Sequence, residues 1–148
     1  MPMHEDHEFE ANARSLRRLL GIEFDTRPDM ITVIFKLKDH GLINDYRRVP
    51  DYEMPDDEAY FDPFTKVLHL RESTFEAGNG MFAEEAKRQR ARFTLAEEVG
   101  HIWLKHSGVR YRGQTGAQQE RLVKEIRQQE REARRFAGTF LVPSYLAK

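Results

Sequence analysis

Cysteine is absent from all 148 residues, so neither a disulfide nor a thiolate metal site can form, and the composition points to a reducing cytoplasm. Long apolar runs are missing too, and nothing approaches the ~20 consecutive residues of a spanning helix. The start, Met-Pro-Met-His-Glu-Asp-His-Glu-Phe-Glu, is acidic, where a signal peptide is basic and then apolar. These absences argue against a membrane role. Internal repeats and low-complexity tracts are not found either. What is present, 39% apolar and 33% charged residues, is ordinary for a globular protein. The length suits one domain over 1–148, with residues 1–7 as a mobile N-terminal tail.

The net charge of −1 hides an uneven distribution. Residues 1–83 hold 10 Lys and Arg against 17 Asp and Glu, and residues 84–148 hold 14 against 8. A basic half can meet nucleic acid or an acidic partner. Its helices interleave both signs, however, as a solvated surface does, so direct nucleic-acid binding is not expected.

Periodicity organises the rest. Phe9, Ala13, Leu16, Leu19 and Leu20 recur at helical spacing and Gly21 supplies a stop. Ile31, Ile34, Phe35 and Leu37 mark a second helix over 30–38, closed at His40-Gly41. From 42 to 63 the chain is acidic and interrupted by Pro50, Pro55 and Pro63. Ala59-Tyr60-Phe61 and Lys66 to Arg71 read as the arms of a hairpin, with a further strand near Asp45 to Val49. Glu76 to Gly80 reads as a loop. A long helix is expected over 81–105 and another over about 117–140, the latter with Ala133, Phe136, Ala137, Phe140 and Leu141 on one stripe and Pro143 as its stop. Within the first of these, Gly100 suits close approach of another backbone or of a metal-bound ligand, since glycine in an exposed helix costs about 1 kcal/mol relative to alanine. The fold class is α+β, helices around a small antiparallel sheet, with two long C-terminal helices packed so that Glu132 approaches His101.

The chemistry concentrates in Glu97-Glu98-x-x-His101. A zinc-peptidase helix carries two histidines four residues apart, because one helical turn aims both imidazoles at one ion, and a glutamate beside the first acts as general base. Here His101 and Glu98 occupy the second-ligand and base positions, and Glu97 stands where the first histidine is expected. Carboxylate oxygen ligates zinc at roughly 2.0–2.2 Å, so Glu97 is a chemically competent replacement. A third ligand from a later helix could be Glu120, Glu125, Glu130 or Glu132, and spacing alone does not choose among them.

Arg92-Phe93-Thr94-Leu95-Ala96-Glu97-Glu98-Val99-Gly100-His101 resembles the Arg-Phe-Thr-Leu-Ala-His-Glu-Leu-Gly-His signature of the ImmA/IrrE metallopeptidases. Glu132-Ala133-Arg134-Arg135-Phe136-Ala137-Gly138-Thr139-Phe140-Leu141-Val142-Pro143 is similar to that family's Glu-Ala-Asn-x-Phe-Ala-x-x-Leu-Leu-x-Pro block. The resemblance implies a zincin-like fold and a cytoplasmic, zinc-dependent endopeptidase acting on a transcriptional repressor of the helix-turn-helix type, or a member of a toxin–antitoxin pair. It implies Glu98 as general base and His101, Glu132 and Glu97 as metal ligands. Three departures are visible: Glu97 replaces the first histidine, Arg134 replaces an asparagine, and the sequence stops soon after Pro143. With two carboxylates and one imidazole, Zn²⁺ would keep no net charge and acidify its water less, and Mn²⁺ or no metal becomes an alternative. The competing reading is a catalytically impaired relative that binds a regulator or antitoxin without cleaving it.

Simpler assignments compete at each position. Thr94-x-x-Glu97 matches a capping box. His101 could be a core histidine beside Trp103, and Glu132 a solvated helix residue. Glu98-x-x-His101 is half of a di-iron motif without its second half. His106 reads as pointing elsewhere on the helix, in a surface or supporting role. His69 reads as an ordinary strand residue, and His4 and His7 carry no assigned function.

Overall fold

In the computed structural model, which describes residues 6–80, 84–106 and 116–146, the order is α1 (Asp6–Leu19), α2 (Met30–Asp39), β1 (Asp45–Val49), a 3₁₀ turn (Asp51–Glu53), β2 (Ala59–Asp62), β3 (Val67–Arg71), α3 (Glu72–Gly78), α4 (Glu85–Trp103), α5 (Gly116–Leu141) and a final 3₁₀ turn (Ser144–Leu146). The α+β class holds. Helix α1 already begins at Asp6, so Asp6 and His7, placed in a tail above, are helical; residues 1–5, His4 among them, lie outside the described residues.

Most of the periodic stripes become the core, whereas Leu19 and Phe35 stay exposed. Phe9, Ala13 and Leu16 of α1, Met30, Ile31, Val33, Ile34 and Leu37 of α2, Leu95, Ala96 and Val99 of α4, and Phe136, Ala137 and Phe140 of α5 form one buried cluster. Asp29 starts α2 by accepting hydrogen bonds from the backbone N–H of Ile31 (2.9 Å) and Thr32 (3.4 Å), the usual service of an N-cap carboxylate. Gly21, at φ +75°, takes the left-handed conformation that turns the chain out of α1.

The sheet is mixed rather than antiparallel, which corrects the expectation above. Its order is β1-β3-β2, with β1 parallel and β2 antiparallel to β3. The 50–58 loop reverses the chain once and the β2–β3 turn reverses it again, so β3 returns in the direction of β1 and inserts beside it. Leu68 and Leu70 explain its central place, since both are fully buried. Helix α3 is the element missed by the periodicity: Thr74, Phe75 and Ala77 are buried within a segment read as running into a loop.

Helix α4 ends at Trp103, two residues before the expected Lys105, and residues 81–83 of the predicted helix lie outside the described residues. Thr94 and Glu97 stand in its middle, which rules out the capping-box reading. Helices α4 and α5 pack closely at Gly100, where a Cβ would meet Ala133 O at 3.2 Å, Phe136 Cδ1 at 3.2 Å and Ala133 Cα at 3.3 Å. The glycine therefore serves backbone approach, one of the two roles expected for it. Gly100→Val is expected to cost about 1–3 kcal/mol, the usual penalty of overpacking. Urea unfolding checks this, and an unchanged midpoint would remove the close packing as the reason for the glycine.

Candidate functional site

One turn of α4 presents Glu97, Glu98 and His101 towards β2 and α5. Glu98 lies against the edge strand, where the Phe61 N–H donates to its carboxylate. Burial, the largest influence, pushes the Glu98 carboxyl up to about 7, with the charges of Glu130 and Glu97 adding to it and His101 opposing. Burial and then Glu130 also raise Glu97 above the ordinary carboxylate range. Both of these adjacent, half-buried glutamates thus hold their protons more tightly than an exposed carboxyl does.

His101 does not meet Glu132 directly. Its Nε2 pairs with Glu130 Oε1 at 3.0 Å, and its Nδ1 lies 2.7 Å from His106 Nδ1. His106 in turn reaches Glu132 Oε1 through Nε2 at 2.8 Å, and Gln128 donates to Glu132 Oε2 at 2.9 Å. The result is a continuous chain, Glu130, His101, His106, Glu132 and Gln128, tying the C-terminal end of α4 to α5. His106 enters it because the helix stops at Trp103 and Lys105 takes φ 57°, which folds the chain back. Its backbone N–H donates to the His101 carbonyl at 3.0 Å. The expectation that His106 points elsewhere is therefore corrected, while a supporting role stands.

The proton inventory follows from chemistry. Two imidazole nitrogens in contact share a single proton, so one ring donates and the other accepts. Burial lowers the pKa of His101, but the hydrogen bond to Glu130 and the charges of Glu98, Glu130 and Glu97 outweigh it and the net shift is upward. For His106, burial leads and the neighbouring His101 adds to it, so the net shift is downward despite Glu132. Glu130 is held below the usual range, first by its hydrogen bond from His101. Three contacts along the chain need three N–H protons and two neutral rings carry two, so one imidazolium completes it while both carboxylates stay ionised, and the directions of the two shifts favour His101 over His106 as the charged ring.

Zinc needs deprotonated imidazole with a lone pair directed at the ion. In this arrangement both His101 nitrogens and both Glu132 oxygens are already engaged in polar contacts within the chain. Among the described residues no three His, Asp or Glu side chains converge closely enough to hold an ion. The donors as arranged do not fit a zinc centre. The structure pairs His101 with Glu130 and Glu132 with His106. Glu130 was among the four candidate glutamates that spacing left open; Glu120 and Glu125 take no part in the chain described here.

Comparison with known proteins adds three findings. No curated protein matches the chain. Among solved structures, a Mycobacterium tuberculosis transcriptional regulator superposes on 95% of this chain with a TM-score of 0.54 at 21% identity, which is a likeness of fold. This chain spans 37% of the length of that regulator. No helix among the described residues is long and apolar enough to cross a membrane. The resemblance read from the two sequence blocks holds: residues 81–146, which contain Glu97, Glu98, His101, Glu130 and Glu132, match the model of the peptidase M78 family, the IrrE N-terminal-like domain.

Proposed function

We propose that this chain is a peptidase-like domain that binds a regulatory protein without cutting it. The observation that carries the reading is the continuous run of polar contacts from Glu130 through His101 and His106 to Glu132. It uses the nitrogens and oxygens that a metal would need, and Glu97 stands at the first-ligand position. The partner class is a transcriptional repressor of the helix-turn-helix type or an antitoxin, as the family resemblance implies. The fold likeness to a transcriptional regulator supports a regulatory setting.

A second reading is favoured by one specific observation. Glu98, held at about 7, has the acidity that suits a general base at neutral pH. On that reading the chain is a metal-dependent endopeptidase with Glu98 as base and His101, Glu132 and Glu97 as zinc ligands.

A peptide library from a digested bacterial proteome, incubated with protein and zinc and read by mass spectrometry, separates the two. The natural protein is expected to release no new termini, and Glu97→His, which restores the second imidazole, is expected to release them. Cleavage by the natural protein that disappears in Glu98→Gln and with chelator would overturn the binding reading.

A further inference from the structure

A second concave site lies on the other face of the sheet. Because successive strand residues alternate, His69 points opposite to the buried Leu68 and Leu70. The register sets Arg47 of β1 and Tyr60 of β2 beside it, making a row across three strands. The 50–58 loop is pinned over this row: Arg71 donates to the Met54 carbonyl at 3.0 and 2.8 Å and to the Pro55 carbonyl at 2.9 Å, and Asp51 accepts from the Ser73 N–H at 3.0 Å. Row and loop border an open cleft of about 480 Å³, whose lining includes Arg47, Tyr60 and His69 of the strands and Glu53, Asp56 and Asp57 of the loop. That volume falls within the ~300–1,000 Å³ of sites that hold a small molecule or a single side chain.

Its chemistry is specific. The Tyr60 and His69 rings stack with centroids 5.9 Å apart and planes at 17°. Burial first, and then Arg47, lowers the pKa of His69 against the pull of Asp62, so the imidazole is uncharged at neutral pH. The stacked pair is thus an aromatic platform rather than a cationic one. The lining holds three carboxylates and one guanidinium, which leaves the cleft net negative.

We propose that this cleft binds an arginine side chain of a partner protein, its guanidinium plane laid on the Tyr60 and His69 platform and its N–H groups donating to Glu53, Asp56 and Asp57. A planar guanidinium stacks on aromatic rings and forks onto carboxylates, which an ammonium does not. Arg47 weakens the attraction for a cation and restricts the cleft to one. The inference uses none of the residues in the α4–α5 cluster and stands whether or not that cluster cuts peptides.

The test is an amide chemical-shift titration of the full chain with acetyl-Gly-Gly-Arg-Gly-Gly-amide and its lysine and glutamate counterparts. The arginine peptide is expected to saturate, with the largest shifts at Tyr60 and His69. It should weaken about a hundred-fold in the Glu53→Gln/Asp56→Asn double variant and tighten in Arg47→Ala, since each charge-assisted contact is worth on the order of ten-fold. His101→Ala should leave it unchanged. Saturation by the glutamate peptide that is lost in Arg47→Ala would make this an anion site and overturn the proposal. So would shifts that never saturate, or arginine binding that ignores the acidic substitutions in variants that retain the native spectrum.

Discussion

Replacing Arg17 with methionine is expected to cost about 3–5 kcal/mol of stability, the range in which breaking a buried charged network falls. Arg17 is fully buried on α1, among the apolar side chains that its helix turns inward. Its Nε donates to the Phe140 carbonyl at 2.8 Å, and its Nη1 donates to the carbonyls of Ile22 (2.8 Å), Glu23 (3.3 Å) and Asp25 (2.8 Å). One guanidinium therefore caps the end of α5 and holds the turn that follows α1. Carbonyls in the last turn of a helix lack helical partners, and a charged donor contributes about 1.5–3 kcal/mol to each bond. Methionine fills the volume and removes every donor, so the loss isolates the hydrogen bonds. Lysine keeps the charge but not the fork, and is expected to recover only a minor part. Thermal unfolding should fall by roughly 10–20 °C for methionine. A loss under about 1 kcal/mol would mean that water replaces the guanidinium at little cost.

The second large effect concerns pH. Glu98 is held at about 7 in the folded chain against an ordinary value of 4.5. A folded carboxyl that keeps its proton longer than the unfolded one contributes stability that is complete below about 4.5 and is lost as pH rises through about 7. The full difference is on the order of 3 kcal/mol. Glu98→Gln keeps the shape and cannot ionise, so it should match the natural protein near pH 4 and exceed its stability at pH 8 by about 2–3 kcal/mol. Glu97 and His101, both shifted upward, act in the same direction, whereas Glu130, shifted downward, contributes stability that is lost as pH falls. Because Glu98 helps to raise His101, the comparison reads the change in that coupling together with the titration of Glu98 itself. Parallel stability curves from pH 4 to 8 would show that Glu98 titrates like an exposed carboxyl.

How much of this was legible beforehand depends on the range of the interactions. Helices α1, α2 and α5 could be read because their apolar residues repeat along the chain itself, and the role of Gly100 because a glycine in mid-helix has few reasons to be there. Helix α3 could not, because seven residues with three buried positions carry too little periodic signal. Strand pairing is non-local: nothing in residues 45–49 announces that β3, rather than β2, will lie beside them. The same division runs through the site. Glu97, Glu98 and His101 were found from their spacing on one helix. His106 was misplaced because helical geometry was extended past Trp103, whereas the positive φ of Lys105 turns His106 back onto His101. Glu130 and Glu132 sit two residues apart on α5, and only the packing of α4 on α5 assigns one to each histidine. Arg17 gave no signal at all, because a buried arginine is defined by carbonyls distant in sequence.

The central claim, that the chain from Glu130 through His101 and His106 to Glu132 stands in place of a metal centre, is tested most directly by elemental analysis of tag-free protein equilibrated with zinc and then desalted, alongside Glu97→His and His101→Ala. The account predicts far less than one zinc per chain in the natural protein and close to one in Glu97→His. About one zinc per chain in the natural protein, lost in His101→Ala, would contradict it.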